Sequence, residues 1–279
     1  YQQLSTRGAE LELLDKQQTN QRIGSSKFFG ALFNKSAGTI NPLSYCIGLA
    51  LAAQSKGANI YETTLATKIQ SINGHWLIKT TEGLIEAKML LIATNAYQQP
   101  IKGIKSPEYT SVHYFQVATN PLPEKDTKMI LLNGEGCWDT ASIMSSFRLD
   151  EDNRLIIGGV GNLGHGASKI HTNWARRKIK SLFPNLQNIP IEYNWHGRIA
   201  MTGNHIPKIQ KLGNNAYSVF GFSGRGIGPG TYFGKAVVES LLNGDENSLP
   251  VTPMSQNKER YSGIKSKLFE LGATASHLL

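Results

Sequence analysis

Between residues 42 and 92 the hydrophobic period of the chain switches from helical to extended, which excludes both an all-helical and an all-strand fold. Pro42 stands where a first helical residue belongs, Leu43 to Ser55 is rich in Leu and Ala, and Gly57 supplies a stop. Cys46, Leu49, Ala50 and Ala53 share a face, so this helix is expected to pack against a neighbour. From Asn59 the pattern becomes period two. Strands are expected at Asn59 to Thr63, Lys68 to Ile72, His75 to Thr80 and Leu84 to Ala87, with turns at Asn73-Gly74 and Glu82-Gly83. Met89 to Ile92 reads as a strand covered on both faces, ending in the small residues Ala93-Thr94-Asn95-Ala96.

The same alternation runs through the rest of the chain without a repeat, giving a mixed α/β class. Asp15 is placed to cap a short helix ending near Gly24. Further strands are expected at Val112 to Thr119, Met129 to Leu132, Leu155 to Gly159 and Tyr217 to Phe222. Helices are expected at Asn173 to Phe183, capped by Thr172, at Tyr232 to Leu242, and near Ile264 to Leu271 in the tail. Trp195, Tyr114 and Trp138 read as core.

Composition narrows the function classes. A net charge of +9 on 279 residues favours an acidic ligand without choosing among nucleic acid, headgroups or a phosphate-bearing cofactor. The two cysteines, Cys46 and Cys137, have no metal or redox spacing, so a cytoplasmic setting is expected. No apolar run is long enough for a membrane span, and no leader pattern is visible. The seven histidines form no ligand pair, so no metal is expected. The basic run Arg176-Arg177-Lys178 with Lys180 reads as a solvated helix face, so no nucleic acid is expected either.

Two glycine-rich segments remain. Gly159-Val160-Gly161-Asn162-Leu163-Gly164 spells G-x-G-x-x-G after a strand, but His165 to His171 separate it from the next helix and Glu192 lies too far along to hold a ribose. It reads as a plain loop. The second, Gly221 to Gly230, joins a strand to a helix. Gly221 and Ser223 begin a G-x-S-x-G, but Arg225 occupies the fifth position, and only His277 follows, in a tail expected to fray. A serine hydrolase is therefore set aside. A strand, a glycine run, a helix N-terminus and Arg225 together suit an electron-rich ring edge or a phosphate.

Five segments, taken in order, resemble a known family. They are Gly38-Thr39-Ile40-Asn41-Pro42 with its Ala-rich helix, the meander ending Leu90-Leu91-Ile92-Ala93-Thr94-Asn95-Ala96, and Tyr114 to Leu122. Trp195-His196-Gly197-Arg198 with Asn204-His205-Ile206-Pro207 follows, and then the closing Gly221 to Gly228 with its helix. The chain resembles the D-amino-acid-oxidase-like FAD-dependent oxidoreductases, the group with glycine oxidase, sarcosine oxidase and gamma-glutamylputrescine oxidase. The resemblance implies an FAD/NAD(P)-binding-type domain, truncated of its N-terminal nucleotide unit, intertwined with an antiparallel-sheet substrate domain. The implied limits are 1–97 with 195–250 for FAD, 98–194 for substrate, and 251–279 for the tail.

It further implies non-covalent FAD near Ala66, Ala93, Thr94, Asn95, Gly197, Gly221, Ser223, Gly224, Arg225, Gly226 and Ile227. A small amine substrate is implied near Tyr114, Arg148 and Arg198, and the reaction is removal of a hydride equivalent from a C–N bond. Relatives often have His or Asn where Arg225 stands and an acid where Asn204 stands. The alternative is a non-catalytic fragment or subunit needing a partner chain that carries the nucleotide-binding unit.

Overall fold

The computed structural model describes residues 1–164 and 166–279; His165, directly after the first glycine-rich segment, lies outside the described residues. In chain order the elements open with α1 (Gln2–Ser5), β1 (Leu11–Asp15), α2 (Lys16–Ile23), β2 (Gly30–Asn34) and α3 (Pro42–Ser55). Next come β3 (Ala66–Ile72), β4 (His75–Thr80), β5 (Leu84–Ala87), β6 (Leu90–Ile92) and β7 (Thr110–Pro121). The middle holds α4 (Glu124–Thr127), β8 (Cys137–Trp138), β9 (Ser145–Leu149), β10 (Arg154–Val160) and α5 (Ser168–Leu182). The chain closes with β11 (Ile191–Met201), β12 (Lys208–Gly213), β13 (Ala216–Phe220), α6 (Ile227–Asn243) and α7 (Ser262–Leu278). No described helix is long and apolar enough to cross a membrane. The class is the mixed α/β one expected.

The elements gather into two compact units whose segments interleave along the chain: residues 1–45, 113–197 and 269–279, and residues 46–112 and 198–268. The first unit is built on a five-stranded sheet of order β11-β7-β10-β9-β8. Because side chains alternate along a strand, Phe115, Val117, Phe147, Leu155 and Ile157 share one face. Trp174, Ala175, Ile179 and Leu182 of α5 join them in one buried core. Tyr114, Gln116, Ser146 and Arg148 take the opposite face. Gly158, between Gln116 and Ser146 in register, keeps the middle of that face low. In the same unit β1 pairs antiparallel with β2, and Asp15 caps α2 in a reciprocal box with Gln18, as its position suggested.

The second unit holds the β3-β4-β5 meander and a sheet of order β12-β13-β6, in which β6 and β13 run parallel. Ile69 and Trp76 of the meander bury against Ile92 and Ala216. The Trp76 Nε1–H donates to the Asn214 carbonyl at 2.9 Å, which removes the polar cost of burying the indole. Helix α6 covers Ile209, Tyr217 and Val219 with Phe233, Val237 and Leu241.

Several expectations from sequence are corrected. Asn59 to Thr63 is irregular and ends in a turn at Glu62–Thr63, with Thr63 left-handed at φ 52°, and the strand begins at Ala66. Met129 to Leu132 is also a turn; Leu131 is left-handed at φ 49°, and its apolar side chain is buried by core packing, which needs no sheet. Strand β6 lies at a sheet edge with Leu90 and Leu91 only half-buried. Helix α5 starts before Thr172, which therefore lies inside it, and α6 starts directly after Gly226. His277 is fully buried on a regular α7, not frayed. Trp138 and Trp195 are exposed (65% and 42%), Trp195 on the edge strand β11, where residues 192–196 are all exposed.

Helix α3 has no buried residue. Its apolar residues surround the axis, and Leu43, Ile47, Leu49 and Leu51 are each at least half exposed. The packing inferred from Cys46, Leu49, Ala50 and Ala53 is absent among the described residues.

Candidate functional site

The parallel pairing of β6 with β13 brings their carboxyl ends side by side, the place where ligands bind on open α/β sheets. From β6 the chain enters Ala93 and Thr94, then a single 3₁₀ turn at Asn95–Tyr97. Asn95 is left-handed at φ 45°, a conformation Asn tolerates. Its Oδ1 accepts the Gly221 N–H at 3.0 Å, fastening the loop after β6 to the loop after β13. Gly221 is left-handed at φ 80°, and a Cβ there would lie 2.4 Å from Thr202 Cγ2, so the turn requires glycine.

Ser223 follows at φ 51°. Its N–H donates to the Ala200 carbonyl at 3.0 Å, and its hydroxyl donates to the Gly221 carbonyl while accepting the Thr202 N–H. That hydroxyl is engaged by backbone, which agrees with setting aside a nucleophilic serine. Gly224, Arg225, Gly226 and Ile227 then run exposed into α6. No side chain caps that helix and no acid lies in its first turn. A Cβ on Gly228 would meet nothing within 4 Å. The loop therefore presents a positive helix end and an exposed guanidinium on an open surface.

Other predicted residues lie elsewhere. Ala66 opens β3 on the meander, a different sheet from the Asn95–Gly221 junction. Gly197 sits on β11 at the limit of the first unit. Arg198 belongs to the second unit, where its backbone N–H donates to Tyr97 Oη at 3.0 Å and its guanidinium lies 4.6 Å from that ring's centre. This cation–π contact places Arg198 beside the turn that holds Asn95. Burial raises the Tyr109 phenol above its ordinary range, and the Arg198 charge opposes that rise.

Tyr114 and Arg148 come together on the polar face of the first unit's sheet. Tyr114 Oη lies 2.8 Å from Ser146 Oγ, and Arg148 Nη2 donates to Gln116 Oε1 at 3.1 Å. Burial pushes the Tyr114 phenol up and draws the Arg148 guanidinium down, so this face favours uncharged groups unless an opposite charge arrives. Arg148 has a neutral amide as its hydrogen-bond partner, which leaves its charge available.

Sequence reasoning missed Tyr97, Thr202, Gln116 and Ser146. Period-two counting from Tyr114 and Arg148 reaches Gln116 and Ser146, whereas nothing local marks Tyr97 or Thr202. Cys137 is half-buried, and burial pushes its thiol up to about 12, so it is unreactive.

The profile of the family described as FAD dependent oxidoreductase matches residues 1–240. The chain belongs to that family. Among curated relatives, probable oxidoreductase OrdL of Haemophilus influenzae is 31% identical over 241 residues, 85% of this chain and 55% of that protein. Gamma-glutamylputrescine oxidoreductase of Escherichia coli is 30% identical over 237 residues, 85% of this chain and 55% of that protein. The chain spans about half the length of these curated relatives. Two crystal structures share the fold. Glycine oxidase from Geobacillus kaustophilus has a TM-score of 0.76 at 19% identity, over 93% of this chain and 70% of that one. L-proline dehydrogenase from P. horikoshii has a TM-score of 0.75 at 22% identity, over 88% and 68%.

FAD, held without a covalent link, is the cofactor of the family. The residues present fit it in kind. The loop from Gly221 to Gly228 offers backbone donors, a positive helix end, Arg225 and open space, with no carboxylate in the first turn of α6 to repel an electron-rich ring or phosphate.

Proposed function

We propose that this protein oxidises the C–N bond of an amine or amino acid with FAD. The observation that carries the reading is the Asn95–Gly221 hydrogen bond, which sets an uncapped α6 and Arg225 at the carboxyl ends of two parallel strands. When bound, FAD supplies the acceptor for the hydride that leaves the substrate carbon. The residues that would hold it are Ala93, Thr94 and Asn95, and the loop of Gly221, Ser223, Gly224, Arg225, Gly226 and Ile227. Gly197 and the Ala66 backbone would serve at its flanks. The α6 dipole, set by the backbone before binding, stabilises negative charge beside the loop without reorganising, and the exposed Arg225 adds a positive charge there.

Substrate is proposed to meet Tyr114 and Arg148, with Arg198 held by Tyr97 as a third candidate. The Tyr114 hydroxyl is oriented by Ser146 and the Arg148 guanidinium by Gln116, so both enter an encounter already positioned. Residues 1–97 with 195–250 are proposed as the FAD part, 98–194 as the substrate part and 251–279 as a tail. The bond between Asn95 and Gly221 joins the two proposed FAD segments, which supports that part of the division, whereas residues 1–45 and 269–279 pack in the same compact unit as 113–197.

The test is the visible absorption spectrum of the purified chain after FAD is added and the excess removed. Flavin bands are expected. A colourless protein with intact fold would favour a second reading, in which another polypeptide must supply the nucleotide-binding unit. The specific observation behind that reading is α3, apolar all round and without a buried residue.

A further inference from the structure

The G-x-G-x-x-G segment has a use that involves no nucleotide. A Cβ on Gly159 would lie 2.9 Å from the Trp174 ring, and one on Gly161 would lie 2.7 Å from the His171 ring, so both glycines let α5 side chains press onto the loop. His171 is fully buried, and so is His277 of α7. Their Nδ1 atoms are 2.7 Å apart, and neither Nε2 has a partner among the described residues. Phe115 stacks on His171 at 5.1 Å between ring centres, and Trp174 stacks on His277 at 4.2 Å. The same stretch of α7 is tied by Asn162 Nδ2 donating to Glu270 Oε1 at 3.1 Å and by Arg177 donating to the His277 carbonyl.

This geometry favours the neutral pair. In the neutral pair one imidazole donates its Nδ1–H to the other's bare Nδ1. A first added proton leaves the Nδ1–H···Nδ1 bond in place but buries a charge on a ring whose new Nε2–H has no acceptor among the described residues. A second puts two N–H groups face to face. The charged groups around the pair are Arg177 and Lys178 of α5 and Glu270 of α7, with His113 of β7 4.0 Å from Glu270. Two of these are cations that oppose protonation. Burial holds His171 below its ordinary range, and burial with the charges of His171, Arg177 and Lys178 takes His277 down to about 4.

We propose that residues 269–278 of α7 form a pH-released latch: the neutral His171–His277 pair keeps them docked on α5, and protonation of the pair frees them while the five-stranded sheet stays folded. Below about pH 6.5, the ordinary histidine value, opening becomes about tenfold easier per pH unit for each histidine that protonates only when undocked.

The experiment is hydrogen exchange of the full chain across a pH series, with each rate divided by its intrinsic value. Protection of 269–278 is expected to fall steeply below about pH 6.5 while Phe115 to Thr119 and Leu155 to Gly159 stay protected. In the double change His171→Phe with His277→Phe the pH dependence at 269–278 should vanish. In His277→Gln, which keeps a neutral donor, it should drop to the slope of one histidine. Protection in the natural chain that ignores pH, or that disappears from sheet and helix together, would overturn the latch. So would an unchanged slope in whichever variant folds.

Discussion

Asn95 links two loops 126 residues apart through one hydrogen bond, and its contribution divides into two parts that substitution can separate. Asn95→Ala leaves the Gly221 N–H without its acceptor, which costs about 1–3 kcal/mol of stability and should loosen FAD. Asn95→Asp keeps an acceptor but adds a negative charge beside the loop. That variant should fold near normally, judged by denaturant midpoint, yet retain less FAD than the natural chain. Arg148 allows a different separation. Arg148→Met removes a half-buried charge paired with a neutral amide, so FAD content should stay unchanged. If a substrate carboxylate binds there, KM should rise by about ten- to a hundredfold, the loss of a charge-assisted bond, with little change for an uncharged amine. Equal effects on both substrates, measured as KM against kcat, would remove Arg148 from substrate recognition.

At the level of elements, α6 joins structural and functional demands in one helix. Gly228 lies in its first turn with open space where a Cβ would go. Gly228→Ala should therefore stabilise the helix by up to about 1 kcal/mol while placing a methyl group on the approach to the loop. The expected pair of results is a raised Tm without ligand and weaker FAD retention. A raised Tm with unchanged FAD retention would move the site away from α6. Local chemistry predicts elements well where it is self-sufficient: Asp15 with Gln18 caps α2, and Pro42 starts α3. It fails at Met129 to Leu132, where an apolar run satisfies the core from a turn, and at Asn59 to Thr63, where Thr63 adopts a left-handed bend.

At the scale of the whole molecule, acid should weaken the first unit for two reasons of the same sign. His171 and His277 titrate lower folded than unfolded, so below about pH 6.5 the unfolded chain binds more protons and stability falls, down to the folded value of His277 at about 4. Burial alone would raise the Asp139 carboxyl, but the Ser145 hydrogen bonds and the Lys178 charge hold it below its ordinary value. Its contribution persists above the unfolded carboxylate range and is lost only as pH falls through the depressed one. Denaturant midpoints should therefore decline from about pH 6.5 downward. The double change His171→Phe with His277→Phe should flatten the decline between that value and the carboxylate range. A midpoint indifferent to pH in the natural chain would contradict the buried pair.

The sequence by itself determined the mixed α/β class, the meander, the places of five helices though not the starts of α5 and α6 or the end of α7, and the glycine-rich joint between β13 and α6. Each of these rests on period, capping residues or backbone permission, which act within a few neighbours along the chain. Only the tertiary structure decided which loops meet. The Asn95–Gly221 bond, the Tyr97–Arg198 stack and the His171–His277 pair each join residues about a hundred positions apart, and no local periodicity encodes such a meeting. The fate of the two glycine motifs was decided the same way. Gly159 and Gly161 lie beneath Trp174 and His171, so their missing side chains serve packing, whereas Gly224 to Gly228 stay open and keep a helix end free for a ligand. Identical glycines differ in use because steric permission is local, while what fills the permitted space is set by the rest of the fold.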